Sequence, residues 1–387
     1  MPIIGKQFPV AALTASDIAD GVVSTAKIAD NAVTADKTSY KDVPFRNIII
    51  NGDMSIAQRG TSASNVSTGY DTVDRFKILR GAGTLDVSQE SAAPTGSGFA
   101  KSFKVLENSS GASPGAGDTN RIQQIFEGQN LQYLKKGTAS AESLTLSFWI
   151  KATVTGTYIA ELYDLDNNRQ ISKTYTVSSA DTWEQKEITY AGDTTGAFGN
   201  DNGGSMSLSL YLTAGSNYTS GTLNTSWAAV TTANRAVGQT NALASASDYV
   251  QITGVQLEVG TTASDFEFLP VDVNLQRCKR YFQNLAPTGL DNIRMGIGEN
   301  KNTTVSGVYI KFEPEMRATP SLSSTAANTF SLYHSATDTV ASGINFDSKS
   351  SKGGNIDVTV SSGLLDGGAS QFLTASTSTR LDFSSEL

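Results

Sequence analysis

The middle of the chain reads Tyr158-Ile159-Ala160-Glu161-Leu162-Tyr163, then Asp164-Leu165-Asp166-Asn167-Asn168, and shortly afterwards Ile171-Ser172-Lys173-Thr174-Tyr175-Thr176-Val177. The two outer runs are rich in β-branched and aromatic residues, which favour extended strands. The central run is rich in Asp and Asn, whose short polar side chains bond the local backbone and favour tight turns. The pattern therefore predicts an antiparallel β-hairpin.

Further runs on both sides of this hairpin alternate apolar and polar residues, as half-buried strands do. They occupy residues 144–150, 206–212 and 249–259, and Asn47–Ile50 predicts a strand that ends in a turn at Asn51–Asp53. Segments rich in Gly, Ser and Asn near 107–120, 196–205 and 214–247 predict loops. The fold class is therefore all-β, and residues 44–270 are long enough for a β-sandwich with a full core.

A short amphipathic helix interrupts the strand pattern. Within residues 274–282, the side chains of Leu275, Cys278 and Phe282 recur at i, i+3 and i+7, the spacing of one helix face. Strand patterns resume at 305–312, 329–333, 355–360 and 372–381. We therefore predict that residues 271–387 form a second, C-terminal β-sandwich-like domain preceded by this short helix.

The first residues differ from the rest of the chain because they contain an internal repeat. The run Ile18-Ala19-Asp20 recurs as Ile28-Ala29-Asp30, and the large apolar residues recur every five positions, at Leu13, Ile18, Val23, Ile28 and Val33. A ribbon of this kind cannot bury its apolar side alone. We therefore predict an extended stalk over residues 1–43 that wraps with copies of itself. The alternative is an acidic linker without fixed structure.

Composition limits the partners of the chain. The formal net charge is −8, with 29 Lys and Arg against 37 Asp and Glu, so a phosphate backbone or an anionic lipid surface is an unfavourable partner. We therefore predict no nucleic-acid binding and no membrane insertion. Cys278 is the single cysteine, and the N-terminal residues lack a charged and then apolar leader. These features favour synthesis in a cytoplasm without the secretory route.

The residues required for catalysis do not form a known constellation in the sequence. His334 is the single histidine, and its neighbour Ser335 would lie on the opposite face of a strand, so a Ser/His/Asp arrangement is not expected. Asp265 and Glu267 would share one face of an extended segment, as a glycosidase carboxyl pair could. Acidic residues are common in this chain, however, and we predict that the protein is not an enzyme.

Aromatic side chains provide candidate binding residues, because sugars place their apolar faces on aromatic rings. Trp227 and Tyr218 lie in the long loop 214–247, and loops of this length are often functional. We therefore predict that the two rings bind carbohydrate. The alternative is that they anchor the loop on the sandwich.

Several of these segments resemble a known family. The run from Asn47 to Gly60, followed by Asp74-Arg75-Phe76, and the later segments 147–152, 182–184 and 254–260 resemble a jelly-roll module of bacteriophage tail fibres and other virion appendages. Residues 276–282 and 312–320 resemble the C-terminal module that often follows it, and the N-terminal repeats resemble phage fibre shafts. The resemblance covers most of the chain. It implies a jelly-roll sandwich similar to a carbohydrate-binding module, a homotrimer, and an N-terminal region docked on a virion adaptor protein.

The same resemblance suggests a structural calcium ion, because such modules often hold one near their first and last strands. Asp53, Asp74 and Glu258 fall in the matching parts of this sequence, and carboxylates are suitable ligands for calcium. Alternatively, Glu258 is satisfied by hydrogen bonds alone. No other cofactor is expected.

Together these observations predict a structural protein of a phage virion, of the tail-fibre type, made in the bacterial cytoplasm and mediating attachment to a host-surface glycan. Two alternatives remain open. One is a fibre, adaptor or head fibre without receptor binding, and the other is a polysaccharide depolymerase.

The repeat predicts a trimer, which light scattering can test with the full chain and with a chain shortened to begin at Pro44. We expect a mass about three times 40.8 kDa for the full chain and a weaker trimer or a monomer for the shortened one, because the apolar stripe of the stalk would be lost. A stable monomer in both cases would contradict the stalk.

Overall fold

The computed structural model describes residues 45–286 and 289–387. The predicted stalk residues Leu13, Ile18, Val23, Ile28 and Val33, and all of segment 1–43, lie outside these ranges. The described residues belong to one compact unit, Phe45–Leu387.

The first part of the described chain is a sandwich of two six-stranded antiparallel sheets. One sheet has the strand order β1-β3-β4-β12-β6-β9 and the other has the order β11-β8-β7-β10-β5-β2. The chain crosses repeatedly between the sheets, as in a jelly roll. The elements are β1 Ser62–Ala63, β2 Lys77–Leu79, β3 Leu85–Glu90, β4 Ser102–Glu107, β5 Thr119–Glu127, β6 Leu144–Ala152, β7 Gly156–Asp164, β8 Arg169–Val177, β9 Glu184–Tyr190, β10 Gly204–Ala214, α1 Ser216–Thr219, β11 Ala228–Ala229 and β12 Tyr249–Val259.

Apolar side chains of the alternating strands form the sandwich core, as predicted, but β10 and β12 are not half-buried, because every position except their first and last residues is buried. Leu208 and Leu210 of β10 face Ile252 and Leu257 of β12 within one buried cluster, and each is at most 3% exposed. Full burial of such a side chain stabilises the fold by roughly 1.5–3 kcal/mol. The class is therefore all-β, as predicted.

The predicted hairpin is present with its turn where the Asp and Asn residues lie. Strands β7 and β8 pair from Gly156 with Val177 to Asp164 with Arg169. Asp164 Oδ1 accepts hydrogen bonds from the backbone N–H groups of Asp166 and Asn167, both at 3.0 Å. The buried carboxylate thus closes the turn as expected for Asp.

The prediction of a strand at Asn47–Ile50 is wrong. This segment runs beside β12, and Ile48 donates its N–H to the Leu257 carbonyl at 2.9 Å, but no regular strand forms. Side-chain amides take the place of backbone partners here. The Asn47 amide oxygen accepts the N–H of Leu257, and the Gln124 amide bonds both the N–H and the carbonyl of Ile50. Side-chain partners of this kind allow an apolar segment to be buried without joining a sheet.

The second part begins with a helix and closes into a barrel. The barrel has six strands in the order β14-β15-β19-β18-β17-β20, next to a three-stranded sheet β13-β21-β16. The elements are α2 Val271–Lys279, β13 Phe282–Asn284, β14 Arg294–Asn300, β15 Val305–Lys311, β16 Ser321–Ser324, β17 Phe330–His334, β18 Thr337–Ser350, β19 Gly353–Val360, β20 Ala369–Thr374 and β21 Leu381–Ser384. No helix in the described ranges is long and apolar enough to cross a membrane.

Three predictions for this second part require correction. The helix begins at Val271, three residues before the predicted start, and ends before Phe282. The predicted strand 372–381 is two strands in different sheets, β20 and β21. Finally, six strands form a closed barrel rather than a sandwich, because β20 pairs with both β14 and β17 and so joins the two ends of the sheet.

The barrel has its own core, and a smaller cluster joins it to the sandwich. Phe330, Phe346 and Phe372 belong to the barrel core, whereas Cys278 and Tyr281 pack with Ile50 and Ile56 of the first part. Whether residues 271–387 form an independent domain stays a prediction.

A buried ion-pair network reinforces this contact. The carboxylate of Glu386 pairs with the guanidinium groups of Arg59, at 3.1 Å, and Arg75. The Arg75 and Glu386 side chains are 1% and 6% exposed. The ring of Tyr281 lies against the guanidinium of Arg75, with 3.5 Å between the ring centroid and Cζ. Arg75 of the Asp74-Arg75-Phe76 motif therefore binds the segment that follows the last strand, β21.

Replacing Glu386 by Gln should lower the free energy of unfolding by about 3 kcal/mol, because it leaves the buried guanidinium of Arg75 without its counter-ion. Urea unfolding followed by tryptophan fluorescence measures this change. The matched control is Glu313→Gln, which removes an ion pair with Lys311 whose two side chains are exposed, and we expect no shift of its unfolding midpoint. Equal midpoints for both variants would contradict a stabilising role of the buried network.

Candidate functional site

A groove lies between the sandwich and helix α2. Its volume is about 440 Å³, against about 10 and 20 Å³ for the cavities beside Asn274 and Trp227. Ile48, Ile50 and Phe126 provide apolar lining. A volume of this size falls within the range of small-ligand sites, roughly 300–1,000 Å³.

Two exposed aromatic rings line the groove. Tyr133 is 49% exposed and Phe45 is 58% exposed. Tyr133 points outward because Leu131 and Leu134, on either side of it, are buried in the sandwich core. Glu267 fixes Phe45 by accepting its N–H at 2.6 Å.

The turn that carries Tyr133 is held by close backbone contacts. Residues Gly128–Asn130 and Gln132–Leu134 form two consecutive 3-10 turns. A Cβ atom at Gly128 would lie 2.1 Å from the carbonyl oxygen of Gly199, so no larger residue fits without a shift. Gln132 Nε2 donates to the carbonyls of both residues at 2.9 Å.

Helix α2 provides the opposite wall. Arg277 and Arg280 are three residues apart, so they share one side of the helix, and both line the groove. Cys278 faces the other way and is fully buried. The helix therefore presents two guanidinium groups to the groove while its apolar side packs on the sandwich.

Glu127 forms the charged floor of the groove. Its carboxylate accepts two hydrogen bonds from Arg280, at 2.8 and 2.7 Å, and one from the Tyr281 hydroxyl at 2.5 Å. Burial alone would raise the pKa of this carboxyl, but the hydrogen bonds from Arg280, Tyr281 and Gln129 outweigh it and lower the pKa below its usual value. Glu127 is therefore ionised and its oxygens already have donors.

The hydroxyl of Tyr133 keeps its proton at neutral pH. Although about half of the side chain is exposed, with 49% of its surface accessible, partial loss of water raises the pKa of Tyr133 to about 12, and the nearby charge of Arg277 only partly opposes this. Tyr133 can thus offer a ring face and a hydrogen-bonding hydroxyl to the same ligand.

The structure places the two predicted carbohydrate-binding rings away from this groove and apart from each other. Trp227 packs on the main core and donates its indole N–H to the Ala191 carbonyl at 2.7 Å. Tyr218 packs on a different cluster, with Ile159 and Tyr211. Both rings anchor the loop 214–247 on the sandwich, which is the alternative that the sequence left open. A binding role for either ring stays a prediction.

The loop that contains them covers one outer sheet face. Arg235 donates two hydrogen bonds of 2.7 Å to Glu161, a fully buried carboxylate on β7. The Ser172 hydroxyl also bonds the carbonyl of Arg235 at 2.8 Å. Glu161, Arg235 and Ser172 are therefore satisfied by contacts within the chain itself.

The three carboxylates suggested as calcium ligands each have separate partners. Asp53 accepts from Asn274 and Ser55 at 3.0 Å. Glu258 accepts from the N–H and the hydroxyl of Ser264, at 2.9 and 2.6 Å.

Asp74, the third candidate ligand, bonds the backbone and side chain of Gln58, and burial raises its pKa to about 6 despite the charge of Arg59. Within residues 45–286 and 289–387, no three His, Cys, Asp or Glu side chains group closely enough to hold a metal ion. Asp53, Asp74 and Glu258 therefore do not fit a shared calcium site, and calcium binding stays a prediction.

The candidate catalytic groups also have structural partners. Glu267 uses both oxygens to accept the backbone N–H groups of Phe45 and Asn47, at 2.6 and 3.0 Å. His334 Nε2 contacts the hydroxyl of Thr339 at 3.0 Å, and Ser335 lies in the turn after β17.

The groove residues Tyr133, Phe45 and Arg277 were missed in the sequence. They come from three distant segments, so no local spacing connects them. The sequence holds one weak signal for Tyr133, which lies between Leu131 and Leu134. If both leucines are buried in a 3-10 turn, the tyrosine between them is exposed.

No family model and no curated protein matches the chain. Similar solved structures are carbohydrate-binding modules and a phage tailspike domain. They include the enzymatically active domain of tailspike protein 4 of bacteriophage CBA120, with 13% sequence identity and a TM-score of 0.32. The similar region covers 56% of this chain and 22% of that chain. The chain thus spans about 22% of that tailspike.

Two further structures are similar over about half of the chain. TmCBM61 in complex with β-1,4-galactotriose is 11% identical, with a TM-score of 0.30, and the similar region covers 56% of this chain and 99% of that chain. A family 11 carbohydrate-binding module of Clostridium thermocellum, in complex with a mixed-linked tetrasaccharide, is 11% identical, with a TM-score of 0.25. The similar region covers 53% of this chain and 98% of that chain. At such TM-scores the likeness carries no argument about ligand or activity.

The lowered pKa of Glu127 predicts a pH-dependent stability. The ionised carboxylate stabilises the fold above its unfolded pKa near 4.5, and this contribution is lost as the pH falls through the lower folded pKa. We expect Glu127→Gln to lower the free energy of unfolding by about 2 kcal/mol at pH 7. Urea unfolding at pH 7, 5 and below 4 should show the difference from wild type shrinking with acidification. A difference that stays constant would contradict this assignment.

Proposed function

We propose that this protein is a structural component of a phage virion, of the tail-fibre type, that binds a host-surface glycan in the groove between the sandwich and helix α2. The observation that carries the proposal is the pair of exposed rings, Phe45 and Tyr133, in a cavity of about 440 Å³. Sugars stack their C–H faces on such rings and exchange hydrogen bonds with the polar groups around them.

The polar groups of the groove suit hydroxyl-rich ligands. Gln129 and Asn130 are exposed beside Tyr133, and their amides can both donate and accept. Arg277 adds further donors from the other wall. An open site with few rings favours weak binding of one or two sugar units.

Binding without hydrolysis is the second element of the proposal. A glycosidase needs one carboxyl with a raised pKa to protonate the leaving group and a second carboxyl across the sugar. In the groove, Glu127 has a lowered pKa and accepts bonds from three side chains. Nearby, Glu267 has both oxygens occupied by backbone N–H groups. These contacts support a binding protein over a depolymerase.

The proposal also includes a homotrimer docked through residues 1–43 on a virion adaptor protein, as the sequence resemblance implies. Linked copies raise the effective affinity of weak sites without any new contact. The alternative is a fibre or adaptor without receptor binding, in which the groove would have no sugar ligand.

The experiment measures adsorption of the full chain to host cells and to their isolated surface polysaccharide. We expect Tyr133→Ala to weaken binding about tenfold, because stacking on one ring contributes up to roughly 1.5 kcal/mol. The matched control is Tyr309→Ala, which removes another exposed tyrosine, on β15 of the barrel, and should bind as wild type. Thermal unfolding checks that both variants fold.

Three outcomes would overturn the proposal. Loss of binding with Tyr309→Ala but not with Tyr133→Ala would move the site to the barrel. Absence of binding by the wild-type protein to any host polysaccharide, together with tight binding to another virion protein, would favour the structural adaptor. Release of reducing sugar ends from the polysaccharide would instead favour the depolymerase.

A further inference from the structure

The two arginines of the groove differ in their partners. Arg280 is neutralised by the two-bond contact with Glu127. Arg277 has one hydrogen bond, from Nη2 to the Asn47 carbonyl at 3.3 Å. In the described ranges, no carboxylate lies within 4.0 Å of its guanidinium. Among the described carboxylates, Glu267 is the one whose charge acts on it, and the oxygens of Glu267 already accept the N–H groups of Phe45 and Asn47.

This arrangement is unusual for a chain with a net charge of −8. Elsewhere, buried guanidinium groups meet carboxylates, as in the pairs of Arg75 with Glu386 and Arg235 with Glu161. Arg317 is partly buried and also has no carboxylate partner among the described residues, but it donates to three backbone carbonyls, whereas Arg277 donates to one. At Arg277 the surroundings remove water without supplying a counter-ion, and burial lowers its pKa. Such a cation gains most from a ligand that brings its own negative charge.

The position of Arg277 restricts what that ligand can be. The guanidinium belongs to the same groove as the Tyr133 ring, whereas Glu127 and Arg280 at the floor neutralise each other. A ligand that only carries charge would pair with the guanidinium but leave the ring uncovered. A ligand with an apolar ring face and one oxyanion substituent satisfies the ring and the guanidinium at once.

We propose that the groove selects acidic glycans, with the oxyanion of one sugar held by the Arg277 guanidinium while a sugar ring stacks on Tyr133. This inference rests on the proposed function and names its ligand class. The oxyanion is a carboxylate, as in a uronic acid, or a sulfate ester, since the planar fork of arginine donors suits both.

The test uses the full chain and three matched oligosaccharides, measured by calorimetry or biolayer interferometry. They are tetragalacturonate, its carboxyl-reduced form tetragalactose, and a sulfated galactose tetramer. We expect wild type to bind at least one acidic tetramer about tenfold more tightly than tetragalactose. This preference should diminish between 50 and 500 mM NaCl, because exposed charges are screened.

The decisive variant is Arg277→Gln, which keeps a hydrogen-bonding side chain but removes the charge. We expect it to bind acidic and neutral tetramers equally, with little change for tetragalactose. Arg277→Lys, which keeps the charge but loses the fork, should retain part of the preference. The matched control is Arg294→Gln, at an exposed arginine on β14, which should leave the preference unchanged. If Arg277→Gln fails to fold, the Lys variant and the salt dependence provide the test.

The outcomes separate this inference from the proposed function. Equal binding of acidic and neutral tetramers, lost with Tyr133→Ala and unchanged with Arg277→Gln, would overturn the acidic preference and leave glycan binding in the groove intact. Binding of none of these tetramers and of no host polysaccharide would overturn both. Tight binding of only the sulfated or only the carboxylated tetramer would support the inference and identify which oxyanion Arg277 holds.

Discussion

The buried carboxylate of Glu127 connects the two parts of the described chain, and the geometry of the groove depends on this connection. It ends strand β5 of the sandwich and accepts hydrogen bonds from Arg280 and Tyr281, which follow helix α2. A buried carboxylate without these donors would be strongly destabilising. The helix is thereby fixed against the sandwich, with Arg277 on one wall and Tyr133, just beyond β5, on the other.

A second set of contacts strengthens the same joint from the far end of the chain. The carboxylate of Glu386 inserts between Arg59 and Arg75, whose guanidinium groups also lie on the rings of Phe282 and Tyr281. The chain residues that resemble the opening of a phage appendage module thus have a structural use here. Arg59 and Arg75 bind the segment that closes the second part.

Several buried carboxylates of this acidic protein pair with arginines. The carboxylates of Glu127, Glu161 and Glu386 are removed from water, and each of them meets an arginine with close geometry. Such pairs contribute less to stability than to a defined arrangement of the parts, since desolvation offsets much of the attraction. Within the part of the chain that the structure describes, Arg277 has no carboxylate partner and one hydrogen bond, and it lies beside the exposed rings of the groove.

The sequence by itself determined the all-β class, the β7–β8 hairpin, strands β6, β10 and β12, and the presence of a helix near Leu275 and Cys278. These features depend on periodicity and turn chemistry, which act between residues close in the chain. The strand predicted at Asn47–Ile50 was wrong, because the side-chain amides of Asn47 and of distant Gln124 make the hydrogen bonds that a neighbouring strand would make. The sequence also suggested Trp227 and Tyr218 as exposed binding rings, although both pack on the sandwich.

Only the tertiary structure decided the barrel closure and the groove. The groove forms where a turn after β5, the segment at Phe45 and helix α2 meet, and the joint is secured by a contact between Arg75 and Glu386, 311 residues apart. Contacts over such separations arise from packing and charge pairing in three dimensions. No local pattern of residues encodes them.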